Sequence, residues 1–198
     1  IGMKEKKVPV GISNRHVHVT KEHLAILFGP EHNLTPIKDL SQPGQFAADE
    51  TVSLIGPKGR IDRVRILGPV RKQTQVEISR TDSFTLGLIP PPPVRDSGDL
   101  SGTPGIIIEG PKGQVEIEEG VICAQRHLHL HPSEAEKLGL KDKQYVSVRA
   151  EGERALVFER VLTRVHPQFA MDLHIDIDEA NAAGLKNGDL VTIVAVEN

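Results

Sequence analysis

Two stretches of this chain place imidazoles two residues apart: Arg15-His16-Val17-His18-Val19 and Arg126-His127-Leu128-His129-Leu130. On a β-strand, residues i and i+2 face the same side, so each pair projects together and can clamp one metal ion. A single His-x-His is a weak signal, because alternating histidines also stand on solvated strand faces. The second copy lies 111 residues after the first and matches the arginine, both histidines and the apolar positions between them, which makes the element a repeat.

Further repetition identifies the remaining donors. A shift of 45 lays residues 129–148 over 174–193 with seven identities in twenty, among them His129 on His174, Glu134 on Glu179 and Gly139-Leu140-Lys141 on Gly184-Leu185-Lys186. A weaker match at a shift of 97 lays Glu77-Ile78 on His174-Ile175 and Gly87-Leu88 on Gly184-Leu185. Four related segments result, and their corresponding position is His18, Glu77, His129 and His174. A duplication retained for folding alone accounts for matched glycines and apolar residues, but not for imidazoles and a carboxylate in register. We group His16, His18 and Glu77 around one ion and His127, His129 and His174 around a second. Three protein donors with an open position describe a catalytic site. Imidazole-rich donors with a carboxylate favour zinc, with cobalt, nickel or iron fitting the same chemistry.

Arg71 and Lys72 follow Gly68-Pro69 and precede Glu77. A guanidinium near two dications points to an anionic substrate, because its planar fork can grip phosphate oxygens in bidentate fashion. Arg15 and Arg126 each precede a His-x-His pair, face the opposite side of the strand and are expected to buttress it. His23, His32, His131 and His166 are expected at surface or capping positions. Cys123 is expected to be a small buried residue in the strand Val121-Ile122-Cys123.

Strands must carry these donors, and the composition supplies them. The chain has 19 Val and 17 Ile, punctuated by 18 Gly and 14 Pro, which predicts many short strands joined by turns, while six aromatic residues leave a mostly aliphatic core. Gly56-Pro57-Lys58-Gly59 and Gly110-Pro111-Lys112-Gly113 each separate two apolar runs and predict hairpins. Pro90 to Pro93 cannot join a central strand and is the best linker candidate. Each repeated segment begins as a strand and turns into a short helix. Thr20 can cap residues 21–28, which Gly29-Pro30 ends, and Pro132 suits a first helical position with Gly139 as the stop. Four such units predict a mainly β protein of two small pseudo-symmetric β-barrels with short capping helices.

A formal charge of -3 provides no basic footprint for nucleic acid. No apolar run approaches the roughly 20 residues that span a bilayer, so no membrane partner is expected. One cysteine excludes an internal disulfide framework and any zinc site built from several thiolates.

The motifs Ser13-Asn14-Arg15-His16-Val17-His18-Val19, Gly68-Pro69-Val70-Arg71 with Glu77, Arg95-Asp96-Ser97-Gly98-Asp99 and Gln125-Arg126-His127-Leu128-His129 occur in order along the chain. In these the sequence closely resembles the PduL-type phosphotransacylases, or phosphate propanoyltransferases, over residues 8 to 196. The resemblance implies two interleaved β-barrels forming one compact unit, one from residues 8–30 plus 125–198 and the other from 36–124. It implies exchange of a short acyl group between coenzyme A and inorganic phosphate at a two-metal site, with zinc at the ligands grouped above and Arg71 as the phosphate-handling arginine. It also implies a homodimer, and a coenzyme A site lined by Ser13, Lys38, Arg65, Leu67, Phe84 and Asn181. Members packaged in bacterial microcompartments carry an amphipathic N-terminal targeting extension. Met3 stands only 13 residues before His16, so either such an extension was removed or this member works free in the cytoplasm, and the expected location is the cytoplasm or a microcompartment lumen.

Phosphate is already a competent nucleophile, so this exchange needs positioning more than a base. The expected roles are phosphate held by the His127/His129/His174 ion with Arg71, and sulfur taken by the His16/His18/Glu77 ion. The competing enzyme reading is a dinuclear metal hydrolase or a cupin-like metalloenzyme, since His16, His18, Glu22 and Gly29 nearly reproduce a cupin spacing. Glu22 and Glu134 fall in capped helical segments, however, where they should face solvent. Outside enzymes, a metal-binding scaffold protein could use the same histidines.

Overall fold

The branched residues and frequent turns resolve, in a computed structural model that describes residues 6–197, into a mainly β fold. In chain order the strands are β1 (Lys7–Ser13), β2 (His16–His18), β3 (Pro36–Asp39), β4 (Phe46–Ile55), β5 (Arg60–Gly68), β6 (Gln75–Glu77), β7 (Val94–Arg95), β8 (Ile106–Glu109), β9 (Gln114–Ile117), β10 (Val121–Ala124), β11 (His127–Leu130), β12 (Tyr145–Ala150), β13 (Leu156–Val165), β14 (Asp172–Asp176) and β15 (Leu190–Val196). The helices are α1 (Lys21–Phe28), α2 (Arg80–Leu86), α3 (Pro132–Leu138) and α4 (Ile177–Ala183). None of the described helices is long and apolar enough to cross a membrane.

The chain divides into two compact units. The terminal unit takes the described residues up to Ser13, Ser41–Pro43 and those from Gln125 on, and the central unit takes Asn14–Leu40 and Gly44–Ala124. In the terminal unit six strands close into a barrel in the order β1-β14-β11-β13-β12-β15. In the central unit nine strands form one sheet in the order β7-β10-β6-β2-β5-β4-β8-β9, with β3 paired to β4.

Within these orders the run β10-β6-β2-β5-β4-β8 matches β1-β14-β11-β13-β12-β15 strand for strand, with the same parallel and antiparallel sense in each matched pair. The barrel closes because β1 also pairs with β15, Lys7 opposite Thr192 and Pro9 opposite Leu190. A strand has two hydrogen-bonding edges. In the central unit the second edge of β8 goes to the hairpin partner β9 and that of β10 to β7, so the corresponding closure is not made. The strands before the two His-x-His elements are exchanged: β1 precedes β2 in sequence but belongs to the terminal barrel, and β10 precedes β11 but belongs to the central sheet.

Two boundaries differ from the sequence expectation. Residues 14–30 were expected with the C-terminal barrel, yet they belong to the central unit, because β2 draws its hydrogen bonds from β5 and β6. Ser41–Pro43 were expected with the central barrel, yet they belong to the terminal unit. Pro90–Pro93 is a connection inside one unit. It lies within the central one, between α2 and β7, and β7 is an edge strand, where missing N–H donors cost nothing to a neighbouring ladder.

Both predicted hairpins form, with Gly56 N–H bonded to Gly59 O at 2.8 Å and Gly110 N–H to Gly113 O at 2.9 Å. Each turn also caps a helix, since Lys58 N–H bonds Leu86 O of α2 and Lys112 N–H bonds Leu27 O of α1. A Cβ on Gly56 would come 2.2 Å from Leu86 O, and one on Gly110 2.5 Å from Leu27 O, so glycine is what lets turn and helix meet. Each unit has its own aliphatic core. Val17, Leu54, Ile66, Val76 and Ile108 are buried in the central one, and Val8, Leu128, Leu130, Leu173 and Ile193 in the terminal one.

Candidate functional site

The donors arise from two antiparallel ladders with the same register. In the central unit His16 pairs with Glu77, Val17 with Val76 and His18 with Gln75. In the terminal unit His127 pairs with His174, Leu128 with Leu173 and His129 with Asp172. Strand alternation sends Val17, Val76, Leu128 and Leu173 into the cores, each fully buried, and sets the four remaining side chains of each ladder on its other face.

Two residues after each of the four matched positions stands a helix N-cap: Thr20 after His18, Ser79 after Glu77, His131 after His129 and Asp176 after His174. Each cap side chain accepts a backbone N–H of the first turn, and Ser79, His131 and Asp176 complete capping boxes with Asp82, Glu134 and Glu179. Arg15 and Arg126 buttress these helices as expected. Arg15 bonds Asp82 of α2 at 3.0 Å and Arg126 bonds Glu179 of α4 at 2.8 Å, tying each His-x-His strand to the helix that follows its partner strand.

Ligand-type atoms of His16, His18 and Glu77 lie within 4.8 Å of one another, as do those of His127, His129 and His174. The six residues therefore form the two trios expected from the repeats. The Nδ1 atoms of His16 and His127 each lie 2.7 Å from the carbonyl of the residue two before, Asn14 and Gln125. A carbonyl can only accept, so Nδ1 carries the hydrogen and the ring presents Nε2 to its cluster.

Proton affinities divide along the same lines. Burial opposes charge on His16, but the adjacent Glu77 carboxylate outweighs it and raises the imidazole above 6.5. Burial likewise works against ionised Glu77, yet His16 and His18 hold it well below the ordinary carboxylate value. Burial lowers His18 to about 4, aided by the nearby charges of His16 and Arg71. Burial and the proximity of His127, His174 and Arg164 push His129 down to about 2, so its ring is neutral, the form that ligates metal. In the terminal trio His127 Nε2 and His129 Nε2 face each other at 2.9 Å, and the buried His129 Nδ1 has no hydrogen-bond partner among the described residues. Three ligand-type atoms brought together in each trio, imidazoles with a carboxylate in one of them, could hold a zinc-type ion.

Asp172 was missed in the sequence. It stands two residues before His174, as His16 stands before His18, and the same i, i+2 rule applied to that segment would have found it. Its Oδ2 accepts hydrogen bonds from His174 Nε2 at 2.8 Å and from the Ser41 hydroxyl. Gly11, opposite His174 on β1, leaves room for it, since a Cβ there would lie 2.5 Å from Asp172 Oδ2. Arg71 follows β5, with its N–H on Val19 O at 2.9 Å and its Nη1 on Ser97 Oγ at 3.0 Å.

Other residues take the quieter places assigned to them. His131 caps α3, His32 pairs with buried Glu50 at 3.1 Å, His23 bonds Thr74 Oγ1 at 2.6 Å, His166 packs against Phe169, and Cys123 is buried on β10. Glu22 is exposed on α1 and Glu134 closes a capping box, and among the described residues neither joins a trio. Of the residues proposed for coenzyme A, the central unit holds Lys38, exposed on β3, and Arg65 and Leu67 on β5. It also holds Phe84, which is 64% exposed on α2. Arg65 sits opposite His16 and donates to the carbonyls of Ala48 and Asp49 at 3.0 and 3.2 Å. The terminal unit holds Ser13, at the end of β1 opposite Asp176, and Asn181, exposed on α4.

Fold and donors together define a duplicated, mainly β protein with one trio of donors that could hold a metal ion in each unit. The phosphate propanoyltransferase family model matches residues 9–186. Phosphate propanoyltransferases of Thermotoga maritima, Rhodopseudomonas palustris and Listeria monocytogenes are 60%, 53% and 50% identical to this chain. The alignments cover 96%, 97% and 93% of it, and 90%, 84% and 85% of those proteins. The chain belongs to the phosphate propanoyltransferase family and is a transferase.

Proposed function

We propose that this protein, working as a homodimer, moves a propanoyl or acetyl group between coenzyme A and inorganic phosphate, with two zinc ions per chain held by His16/His18/Glu77 and His127/His129/His174. The observation that carries the reading is a guanidinium beside a metal-type trio: the Arg71 charge reaches both His16 and His18 and works against their protonation, although Glu77 raises His16 overall. A cation next to a buried donor trio favours an anionic substrate, and phosphate oxygens suit the planar fork. Arg71 binds phosphate and orients one oxygen toward the thioester carbonyl. The phosphate oxygen forms a bond to the acyl carbon, the C–S bond breaks, and coenzyme A leaves as the thiolate. The dianion is nucleophilic without deprotonation, so no residue is required as a general base. Bound zinc supplies Lewis-acid stabilisation of developing oxyanion charge and lowers the basicity of a thiolate.

Lys38 offers an exposed cation, and Phe84 an exposed ring, of the kinds that phosphates and an adenine base engage. Arg65, Leu67, Ser13 and Asn181 complete the proposed coenzyme A contacts. The test is direct. Zinc-loaded protein mixed with acetyl or propanoyl phosphate and coenzyme A should develop thioester absorbance, lose it after chelation and regain it with zinc. Absence of thioester from the zinc-loaded protein overturns the reading.

A further inference from the structure

Among the described residues Gln75 is the one polar side chain in the set of largest fully buried ones, 1% exposed on β6 opposite His18. An amide in that setting must be satisfied, and two residues of the Arg95-Asp96-Ser97-Gly98-Asp99 turn satisfy it. Gln75 Nε2 donates to Ser97 Oγ at 3.0 Å, and Gln75 Oε1 accepts from Gly98 N–H at 2.8 Å. Arg71 Nη1 donates to the same Ser97 Oγ at 3.0 Å. Arg95 holds the turn from its other side, donating to Asp99 Oδ1 at 3.2 Å and Ser101 O at 3.0 Å.

A hydroxyl has two lone pairs and one proton. At Ser97 both lone pairs accept, one from a guanidinium and one from an amide, so the proton is left to donate in the remaining direction. A charge-assisted bond into the oxygen also makes that O–H a better donor. Two donors of the kind phosphate oxygens accept, the Arg71 guanidinium and the Ser97 hydroxyl, thus stand one hydrogen bond apart.

We propose that Ser97 is a further catalytic residue, its O–H donating to an oxygen of the inorganic phosphate that Arg71 grips, and that Gln75 is the positioning residue that fixes the direction of this proton. The assignment rests on the acyl-exchange reading for its substrate. Ser97 forms no covalent bond in it.

The test uses the zinc-loaded full chain with inorganic phosphate, by steady-state kinetics and by calorimetric titration. Ser97→Ala should raise both the KM and the Kd for phosphate about tenfold or more, as expected for losing a hydrogen bond to a charged group, with KM for acyl-CoA and zinc content unchanged. Ser97→Thr, which keeps the hydroxyl, should recover most of the loss. Gln75→Met should weaken phosphate binding by a smaller factor with wild-type zinc content. Ser97 lies in a partly exposed turn, so its truncation spares the core. Phosphate KM and Kd unchanged in Ser97→Ala overturn the proposal while wild-type exchange upholds the acyl-transfer reading. Ser97-dependent phosphate binding without any exchange does the reverse. An acylated Ser97 recovered from a quenched reaction would also overturn it.

Discussion

The β2·β6 and β11·β14 ladders share one register and three metal-type donors each, but their fourth positions diverge. In the central unit that position is Gln75, turned to Ser97 and Gly98. In the terminal unit it is Asp172, turned to His174 and Ser41. Both recruit a serine from a loop of their own unit. The neutral amide orients a hydroxyl that Arg71 also bonds, whereas the carboxylate backs an imidazole. One backbone face, duplicated, thus carries an amide that meets a serine and, through it, a guanidinium in one copy, and a carboxylate that meets an imidazole and a serine in the other. The sheets differ as well, since closure of the terminal barrel leaves no free edge while the central sheet ends on β7 and β9.

Substitutions in matched positions test this difference, beginning with the largest effect. On the two-ion proposal, His18→Ala and His129→Ala should each abolish binding of a different one of the two ions, checked by metal analysis. Arg71→Ala should lower turnover about 10²- to 10³-fold with both ions retained, in line with loss of an electrostatic stabiliser. Equal metal loss from both units in either histidine variant would break the comparison.

Core truncations come next. Leu54→Ala in the central unit and Leu130→Ala in the terminal unit each remove a side chain of zero exposure, and each should cost about 2–5 kcal/mol by denaturant unfolding. A smaller expected effect is specific to one ladder. Asp172→Asn should weaken metal binding at the terminal trio roughly 10- to 100-fold and leave the central trio unchanged, measured by competition with a chromogenic chelator.

The smallest effect depends on pH. Burial, helped by the neighbouring Glu179 and Asp178, raises Asp176 from 3.8 to about 6 against the pull of the backbone N–H groups it caps. A carboxyl whose folded value is raised contributes stability below its ordinary value and loses that contribution as pH climbs through the folded value. The melting temperature of Asp176→Asn relative to the native chain should therefore rise between about pH 4 and 6 and level off above, because asparagine still caps but does not ionise. A flat difference across that window would remove Asp176 from the acid response.

Much of this was legible before any coordinates. The i, i+2 spacing of His16/His18 and His127/His129, the matched Glu77 and His174, the capped helices and the Gly-Pro-Lys-Gly hairpins are local patterns, and local backbone geometry fixes what they become. Applying the same spacing to His174 would have reached Asp172. The Gln75–Ser97–Arg71 contact had no such signal, because 22 residues separate Gln75 from Ser97 in the chain.

What the sequence determined by itself is the chemical identity of the donors and the face from which each must project, since strand alternation and capping act over a few residues. The tertiary structure decided which strands are neighbours: that β2 meets β6 and β11 meets β14, that β1 and β10 change units, and that one sheet closes while the other stays open. Ladder register and edge occupancy depend on hydrogen bonds between segments far apart in the chain, and no short stretch of residues encodes its partner.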